Sequence, residues 1–392
     1  MALRFLTAGE SHGPALNVIV EGLPAGVPVE RARIDRELKR RMGGHGRGGR
    51  MRIEDDRVEI LAGVRFGRSL GSPIALVVRN RDFDNWREAM SPDGPPPHAA
   101  GAARAVTRPR PGHADLAGAL KYQTHDAREI LERSSARETA ARTAAGAVAR
   151  ALLAEAGIAV TSRTVAVGAA LAPELDDASF DELLALADDA PLRVADSRAR
   201  DAMIAEIDAA RKAGDSLGGV FEVLARGVPP GLGSHAHWDR RLDGRLGGAL
   251  LSIQAVKAAS VGEGVEGSAR RGSQQHDAIE YDAAVRVFRR PTNRAGGIEG
   301  GMSNGEMIRL RGYLKPLATL PRPLPSADLV TKQPFEAQQE RTDTIPIVAA
   351  GVVAEAMVCL VLADELLRKV GGDSLTETVR NLEAYRGALR AF

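Results

Sequence analysis

The sequence DRELKRRMGG at residues 35–44 recurs later in the chain as DRRLDGRLGG at residues 239–248, with six of ten positions identical. Upstream of the two copies lies a second matching pair, GLPAG at residues 22–26 and GVPPG at residues 227–231. Two matches in the same order and about 204 residues apart indicate duplication of a strand–turn–helix module. The repeat therefore predicts one pseudo-symmetric fold, with copies over about residues 1–200 and 201–392.

Runs of apolar residues around the repeats predict both strands and helices. Short apolar or alternating runs predict strands at residues 3–6, 16–21, 58–61 and 74–78. Helical patterns are predicted at residues 34–42, 136–156, 199–213, 246–259, 345–370 and 375–389. Capping boxes of the type S-x-x-E precede two of these helices, at Ser135 and at Ser374. The helix at residues 345–370 is apolar nearly all round, so we expect it to be covered on several faces.

Composition excludes several classes of protein. A net charge of +2, from 53 basic and 51 acidic side chains, gives no global field towards nucleic acid or anionic lipid. The single cysteine, Cys359, excludes an internal disulfide, and its apolar surroundings predict a buried side chain. The longest apolar run, residues 348–362, is broken by Glu355 and falls short of the ~20 residues of a membrane span. We expect a cytoplasmic protein that binds neither membrane nor nucleic acid.

A glycine-rich run, GHGRGG at residues 44–49, has the spacing of a dinucleotide-binding fingerprint. That fingerprint works between a strand and a following helix, whereas here a helical pattern precedes the run and a strand-like pattern follows it. We therefore interpret it as a turn, in which the glycines leave room beside Arg41 and Arg47 for a bulky anion. The alternatives are a flexible turn beside a solvated helix face, or an RNA-binding arginine–glycine segment, although the run lacks aromatic side chains.

The pentapeptide GESHG at residues 9–13 has the spacing of a hydrolase nucleophile elbow around Ser11. An elbow must lead into a helix, but the following PALNVIVEG is strand-like. His12 is therefore the more interesting residue, because a loop histidine between small residues can reach a ligand. The alternative is an ordinary turn histidine.

A second histidine lies in a proline-rich loop, RPRPGHADLAG at residues 108–118. The prolines fix the backbone around His113, which lies near Arg110 and Asp115. Histidine titrates near neutrality, so His113 could give a proton to a leaving phosphate or take one back. His235 and His237 lack an evident third ligand, so we predict no metal site.

Three further segments are typical of ligand-binding loops. Arg133 and Ser134 precede the helix start at Ser135, where free amides and the helix dipole would favour a phosphate, although capping alone would also explain the serine. NRAGGIEGGMSNG, at residues 293–305, is rich enough in glycine to allow close backbone approach to a planar ligand. Loops near the C-terminus add Lys315, Arg341 and Asp343.

In order along the chain, five motifs closely resemble chorismate synthases: GESHG at 9–13, RPRPGHAD at 108–115, RSSARET at 133–139, NRAGGIEGGMSNG at 293–305 and ERTD at 340–343. The resemblance implies an α+β fold in which helices lie between two mainly antiparallel β-sheets, with internal duplication, assembled as a homotetramer. It implies a lyase of the shikimate pathway that supplies aromatic amino acid biosynthesis. The reaction is the anti-1,4 elimination of phosphate from 5-enolpyruvylshikimate-3-phosphate to give chorismate, with reduced FMN and without net redox change.

The resemblance also implies roles for individual residues. His12 would protonate the reduced flavin, His113 would assist the departing phosphate, and Asp343 would help to remove a proton from the flavin. Arg41 and Arg47 match family arginines assigned to the phosphates of the substrate or of NADPH, the candidate reductant. The positions that match flavin-binding segments are Arg133, Ser134, Ser135, Gln254, Ala255, Gly300, Lys315, Pro316, Leu317, Ala318, Thr319 and Arg341.

The chain departs from the family pattern at a few positions. Gln123 follows the Lys-Tyr pair where the family often has glycine, and Thr342 precedes Asp343 where serine is common. After Asp343 the usual CAVP is replaced by a segment that contains IPIV. Two other functions remain as alternatives at this stage: a serine hydrolase that uses Ser11, and an RNA-binding protein that uses the arginine–glycine run.

Overall fold

The computed structural model describes residues 3–49, 55–93, 105–175, 179–340 and 342–392. Its strands are β1 Arg4–Ala8, β2 Ala15–Glu21, β3 Val58–Ala62, β4 Val64–Arg65, β5 Arg68–Ser69, β6 Ile74–Arg79, β7 Ala159–Val167, β8 Ala170–Leu171, β9 Gly219–Arg226, β10 Val256–Val261, β11 Glu280–Asp282, β12 Val287–Arg289, β13 Ile298–Glu299, β14 Met302–Ser303, β15 Ile308–Leu314, β16 Pro325–Ala327 and β17 Pro334–Glu336. Its helices are α1 Arg31–Met42, α2 Asp115–Tyr122, α3 Arg128–Ser134, α4 Thr139–Glu155, α5 Phe180–Ala185, α6 Ser197–Ala213, α7 Leu242–Leu251, α8 Gly264–Gly267, α9 Gly272–Gln275, α10 Ile347–Val370 and α11 Leu375–Ala391.

Two antiparallel sheets and two long helices form the centre of this α+β fold. The first sheet has the strand order β1-β2-β6-β3 and the second has the order β8-β7-β9-β15-β10. Helix α4 packs on β2 and β6 of the first sheet, whereas α10 packs on β7 and β9 of the second. The two helices also pack against each other, so one continuous apolar core extends from sheet to sheet.

The two turns that carry the GLPAG and GVPPG sequences make the same hydrogen bonds. After β2, the hydroxyl of Ser69 donates to the carbonyl of Pro24 at 2.6 Å. After β9, the hydroxyl of Ser303 donates to the carbonyl of Pro229, also at 2.6 Å. The order of elements matches as well, since β6 lies between β2 and β3 as β15 lies between β9 and β10. We propose that the chain is internally duplicated and that these two turns occupy corresponding positions in the two copies.

The predicted helices and strands agree with the structure except in one segment. A single helix was expected over residues 246–259, but α7 ends at Leu251 and the strand β10 begins at Val256. The helix cannot continue because Ala255 has a φ of 67°, in the left-handed region. The strand β10 begins and ends with the β-branched residues Val256 and Val261, which favour extended structure, and it pairs with β15.

The glycine-rich run packs against the start of the longest helix. It follows α1 and precedes β3, which confirms that it does not occupy the strand-to-helix turn of a dinucleotide-binding unit. Gly44 and Gly46 have φ angles of 104° and 91°, which favour glycine. A Cβ on Gly44 would lie 2.8 Å from the Val348 side chain, and one on Gly46 would lie 3.0 Å from the Ile345 carbonyl. The glycines therefore allow this run to pack closely against residues 345 and 348. The G-x-G-x-x-G spacing alone did not reveal this reason for the glycines.

Helix α10 is buried on nearly every side, as its sequence predicted. It is the one helix among the described residues that is long and apolar enough to cross a membrane, and 94% of its most apolar window is buried inside the protein. Such burial is what the core helix of a globular fold requires. Cys359 lies on this helix and is fully buried, and burial raises the pKa of its thiol to about 12.

A buried carboxylate interrupts the apolar surface of α10. Glu355, which is 0% exposed, accepts two hydrogen bonds from Arg40 of α1, at 2.8 and 2.9 Å. It accepts a third from Arg150 of α4 at 2.5 Å and a fourth from the hydroxyl of Ser162 on β7 at 2.6 Å. Burial alone would raise the pKa of Glu355, but the two guanidinium groups hold it well below its usual 4.5. One side chain thus joins three helices and a strand.

Replacing Glu355 by glutamine should lower the free energy of unfolding by about 3 kcal/mol at pH 7, because the buried Arg40 and the partly buried Arg150 lose their shared carboxylate. A carboxyl group with a lowered pKa stabilises the fold above its unfolded pKa and loses that effect as the pH falls. The difference between Glu355→Gln and the original chain should therefore shrink as the pH falls below the usual value of 4.5. Urea unfolding followed by circular dichroism at several pH values measures both effects.

The matched control is Glu59→Gln. Glu59 pairs with Arg79 on the exposed face of the first sheet, at 3.1 and 3.2 Å. Water screens this pair, so its loss should leave the unfolding midpoint nearly unchanged. Equal losses in the two variants would show that Glu355 has no special role in stability.

Candidate active site

His12 lies in the loop between β1 and β2, where a buried carboxylate holds it. Its Nδ1 lies 2.8 Å from Oε1 of Glu132, and its backbone N–H donates to Oε2 of the same residue at 2.8 Å. The imidazole stacks on Trp86, with ring centroids 3.9 Å apart. Burial would raise the pKa of Glu132, but the hydrogen bonds from His12 and Arg128 lower it below its usual value. An ionised Glu132 can only accept, so Nδ1 of His12 carries the hydrogen.

His113 has a similar arrangement at the start of α2. Its Nδ1 lies 2.5 Å from Oδ1 of Asp115, which is fully buried. Arg110 donates to both oxygens of Asp115, at 2.8 and 3.0 Å. Burial would raise the pKa of Asp115, but the hydrogen bonds from His113 and Arg110 hold it well below the usual range. Because Asp115 engages Nδ1, Nε2 is the ring nitrogen that could bind a ligand, and Nη2 of Arg110 lies 3.5 Å from it.

Asp343 lies against the glycine-rich run. Its Oδ2 accepts from Arg47 at 2.6 Å, and its Oδ1 accepts from the backbone N–H of Gly48 at 2.6 Å. Burial lowers the pKa of Arg47, and the ion pair with Asp343 only partly offsets that effect. An additional anion beside Arg47 would therefore be favourable.

Arg41, the other arginine predicted to bind phosphate, contacts protein groups. It is 4% exposed, and it donates to the hydroxyl of Thr139 at 2.9 Å and to the carbonyl of Ala136 at 3.0 Å. It also lies 3.4 Å from Asp56. These contacts tie the end of α1 to the start of α4, and a phosphate role for Arg41 stays a prediction.

The segment that contains Arg133, Ser134 and Ser135 forms the end of α3 and the turn before α4. Ser135 accepts from the backbone N–H of Arg137 at 3.3 Å, as a capping residue should. The predicted capping box is incomplete, because a short 3₁₀ turn intervenes and Glu138 binds Arg142 at 2.9 Å instead of returning to Ser135. Arg133 donates to the carbonyls of Thr7 and Gly9, at 3.0 and 3.1 Å.

A chain of hydrogen bonds connects this segment with the other predicted flavin-binding residues. Thr7 and Gln254 both donate to Glu138, at 2.8 and 3.4 Å. The carbonyl of Ala255 accepts from the backbone N–H of Lys315 at 3.0 Å. The side chain of Lys315 in turn donates to the carbonyl of Gly112, next to His113. The fold thus joins the surroundings of the two histidines through residues 254, 255 and 315.

A pocket of about 220 Å³ opens beside the His113 loop, lined by Pro111, Gly112, Ser216, Lys315, Leu317 and Ala318. Leu317 and Pro316 are held here because the carbonyl of Leu317 accepts from the hydroxyl of Ser216 at 2.9 Å. The hydroxyl of Thr319 accepts from Arg110 at 3.4 Å. The pocket is smaller than a typical site for a whole organic ligand.

Two observations bear on whether this region fits a flavin. Oε1 of Gln254 is buried and has no hydrogen-bond partner among the described residues, so it could accept from a ligand such as the imide N–H of an isoalloxazine ring. Gly300, in the β13–β14 hairpin, has a φ of 57°, and a Cβ placed on it meets no described atom within 4 Å. The acceptor at Gln254 and the space at Gly300 therefore suit a flavin nucleotide. Arg341 lies outside the described residues.

Several contacts of the predicted catalytic residues were missed in the sequence. Glu132 directly precedes Arg133 in a motif that was already singled out, but its role needs the loop of His12 to fold over α3. The spacing of residues in the sequence gave no indication that Trp86 or Arg128 contacts a catalytic residue. Gln123, where the family often has glycine, ends α2 with a φ of 56°, which explains the preference for glycine there.

Other sequence-based interpretations also have an outcome in the structure. Ser11 is 2% exposed and leads into β2, so the hydrolase reading of GESHG is wrong. Within the described residues, no cluster of three or more histidine, cysteine, aspartate or glutamate side chains could hold a metal ion. His237 lies at the surface and pairs with Asp239 at 2.7 Å.

Comparisons with known proteins give a consistent result. Residues 3–367 match the family described as chorismate synthase. A chorismate synthase from Moorella thermoacetica is 57% identical over 388 residues, which cover 99% of each chain. One from Solibacter usitatus is 54% identical over 388 residues, which cover 98% of each chain. A crystal structure of chorismate synthase covers 100% of this chain and 99% of its own, with a TM-score of 0.79 and 41% identity.

Gly48→Ala should destabilise the candidate site, because the added Cβ would lie 2.4 Å from the carbonyl of Thr342. The backbone must move to relieve the clash, which separates Gly48 from Asp343. We expect a loss of about 1–3 kcal/mol in the free energy of unfolding, measured by urea titration.

Gly49→Ala is the control, since its Cβ meets no described atom within 4 Å. Neither glycine has a positive φ, so the two variants differ mainly in space. Gly49→Ala should change stability by less than about 1 kcal/mol. Equal destabilisation in both would contradict the close approach of Thr342.

Proposed function

This chain belongs to the chorismate synthase family, whose reaction removes phosphate from 5-enolpyruvylshikimate-3-phosphate to give chorismate, and from that premise we propose how its side chains perform this elimination. The family is a lyase family of the shikimate pathway and requires a reduced flavin. The observation that carries the proposal is the pairing of His12 and His113 with buried carboxylates, which leaves Nε2 of each ring for proton transfer.

We propose that reduced FMN binds beside both histidines and that His12 is the group that would protonate it. The residues that would hold it are Arg133, Ser134, Ser135, Gln254, Ala255, Gly300, Lys315, Pro316, Leu317, Ala318, Thr319 and Arg341. When bound, reduced FMN supplies electron density as the phosphate departs and takes up the hydrogen from C6, without net redox change. The unpartnered oxygen of Gln254 and the open space at Gly300 support this assignment.

His113 is the proposed proton donor to the departing phosphate. Asp115 accepts from Nδ1, so a protonated ring presents its second N–H at Nε2. The carboxylate stabilises the charged ring, while Arg110 holds both oxygens of Asp115 and the turn at Gly112 fixes the backbone before the ring. A hydrogen bond from Nε2 would neutralise the charge that develops on the phosphate oxygen as the C–O bond breaks.

Arg47 and Asp343 are proposed to act as a pair. Arg47 is largely buried beside Asp343, with 12% of its side chain exposed, and its lowered pKa indicates that further negative charge beside it would be favourable. We assign it to a phosphate of the substrate or of NADPH. Asp343 would release Arg47 to that phosphate and take up a proton at Oδ2, while Gly48 holds Oδ1. Arg41 would assist Arg47 only if it exchanged its present contacts for the ligand.

The larger features of the resemblance complete the proposal. Helices between two sheets are supported by the packing of α4 on the first sheet and α10 on the second. A homotetramer, a cytoplasmic location and NADPH as the reductant of the flavin are proposed from the family.

The decisive experiment mixes the purified protein with 5-enolpyruvylshikimate-3-phosphate and chemically reduced FMN without oxygen. We expect chorismate and phosphate in equal amounts, followed by absorbance and by a phosphate assay. Absence of both products in the presence of bound FMN would overturn the proposed function. Replacing reduced FMN by oxidised FMN and NADPH shows whether the protein also reduces its flavin.

His113→Ala should bind FMN as the original chain does but lose turnover by about 10²- to 10⁴-fold, the usual contribution of a general acid. His237→Ala is the control, because His237 is exposed and pairs only with Asp239 in the described contacts. Flavin fluorescence measures binding, and single-turnover chorismate formation measures chemistry. Unchanged turnover in His113→Ala would remove His113 from the mechanism.

A further inference from the structure

His12 and three other side chains form a closed ring of contacts. Glu132 binds Nδ1 of His12 at 2.8 Å, and His12 stacks on Trp86 with centroids 3.9 Å apart. The guanidinium carbon of Arg128 lies 4.9 Å from the centroid of the Trp86 ring, and Arg128 donates to Glu132 at 3.2 Å. We call Glu132, Trp86 and Arg128 the His12 clamp.

We propose that Glu132 is a positioning residue for the elimination, and that the His12 clamp fixes the ring of His12 with its hydrogen on Nδ1 and its working atom at Nε2. The inference rests on the proposed function for the role of His12. It goes beyond that function because it assigns Glu132, Trp86 and Arg128 a task in catalysis.

The contacts of Glu132 set both the position and the tautomer of His12. One oxygen accepts from the backbone N–H and the other from Nδ1, so the loop and the ring are held together. The carbonyl of Glu132 also accepts from the backbone N–H of Ser11 at 3.0 Å. With 2% of its side chain exposed, Glu132 is shielded from water, which makes its charge effective at the ring.

Trp86 and Arg128 restrict the remaining freedom of the ring. Stacking on Trp86 blocks rotation about the last bond of the His12 side chain, because the rings are inclined by only 27°. Arg128 is held over Trp86 while it binds Glu132 and lies 3.7 Å from Glu340. The guanidinium group of Arg128 therefore holds the Glu132 carboxylate and the Trp86 indole in fixed positions relative to each other.

The first test measures directly which ring nitrogen of His12 carries the hydrogen. In protein labelled with ¹⁵N-histidine, without flavin or substrate, the neutral ring should carry its hydrogen on Nδ1, and the His12→Gln spectrum assigns the signal among the eight histidines. A neutral ring with its hydrogen mainly on Nε2 would overturn the proposal. This measurement does not depend on whether the protein makes chorismate.

The second test is Glu132→Gln, which keeps the shape of the side chain but has one oxygen for three donors and no charge. We expect kcat to fall about 10- to 100-fold with little change in KM. The alkaline limb of the pH profile of kcat should also move to lower pH by about one unit, because the charged ring loses its neighbouring anion. Glu132→Asp, which keeps the charge, should restore the position of that limb.

The control for this variant is Glu129→Gln, an exposed position on the same helix. Trp86→Phe should retain most of the stacking and activity, whereas Trp86→Ala should lower kcat without moving the pH limb. A loss of kcat in Glu132→Gln with an unmoved limb would mean that Glu132 only anchors the loop. Inactivity of the original chain would instead overturn the proposed function.

Discussion

The buried carboxylate of Glu355 is the contact on which the arrangement of the core depends. An ionised side chain within an apolar helix is costly unless every lone pair has a partner, and this one has guanidinium groups from two other helices and a hydroxyl from a strand. Its partners can be satisfied only when α1, α4, α10 and β7 occupy their native positions. The glutamate therefore acts against alternative packings of two long apolar helices whose surfaces would otherwise fit together in several ways.

The same principle, a buried carboxylate shared between cations or hydrogen-bond donors, recurs at the candidate site. Glu132 joins His12 to Arg128, and Asp115 joins His113 to Arg110. In each case the carboxylate fixes the orientation of a histidine ring that must also remain accessible to a ligand. A rigid acceptor behind the ring resolves the conflict between holding a side chain still and leaving its reactive atom open.

The sequence predicted the histidines, the helices with capping signals and the strands of the first sheet, because these features are local. It failed at residues 252–259, where the left-handed Ala255 and pairing with β15 outweighed a helix-compatible composition. It also left the purpose of the glycine-rich run open, because the clash that excludes side chains comes from residues about 300 positions away. Glu132 and Trp86 were missed for the same reason, since their contacts with His12 follow from tertiary packing and not from spacing.

The meeting of the glycine-rich run with residues 342–348 has a consequence for how the protein reaches activity. Gly48 and Asp343 are 295 positions apart in the 392-residue chain, so closing this contact requires a very long loop and is expected late in folding. A chain still emerging from the ribosome holds both histidines but has not yet gained Asp343. A partly synthesised or C-terminally shortened protein would thus lack a complete set of proton-transfer groups, and the site would be assembled only in the finished molecule.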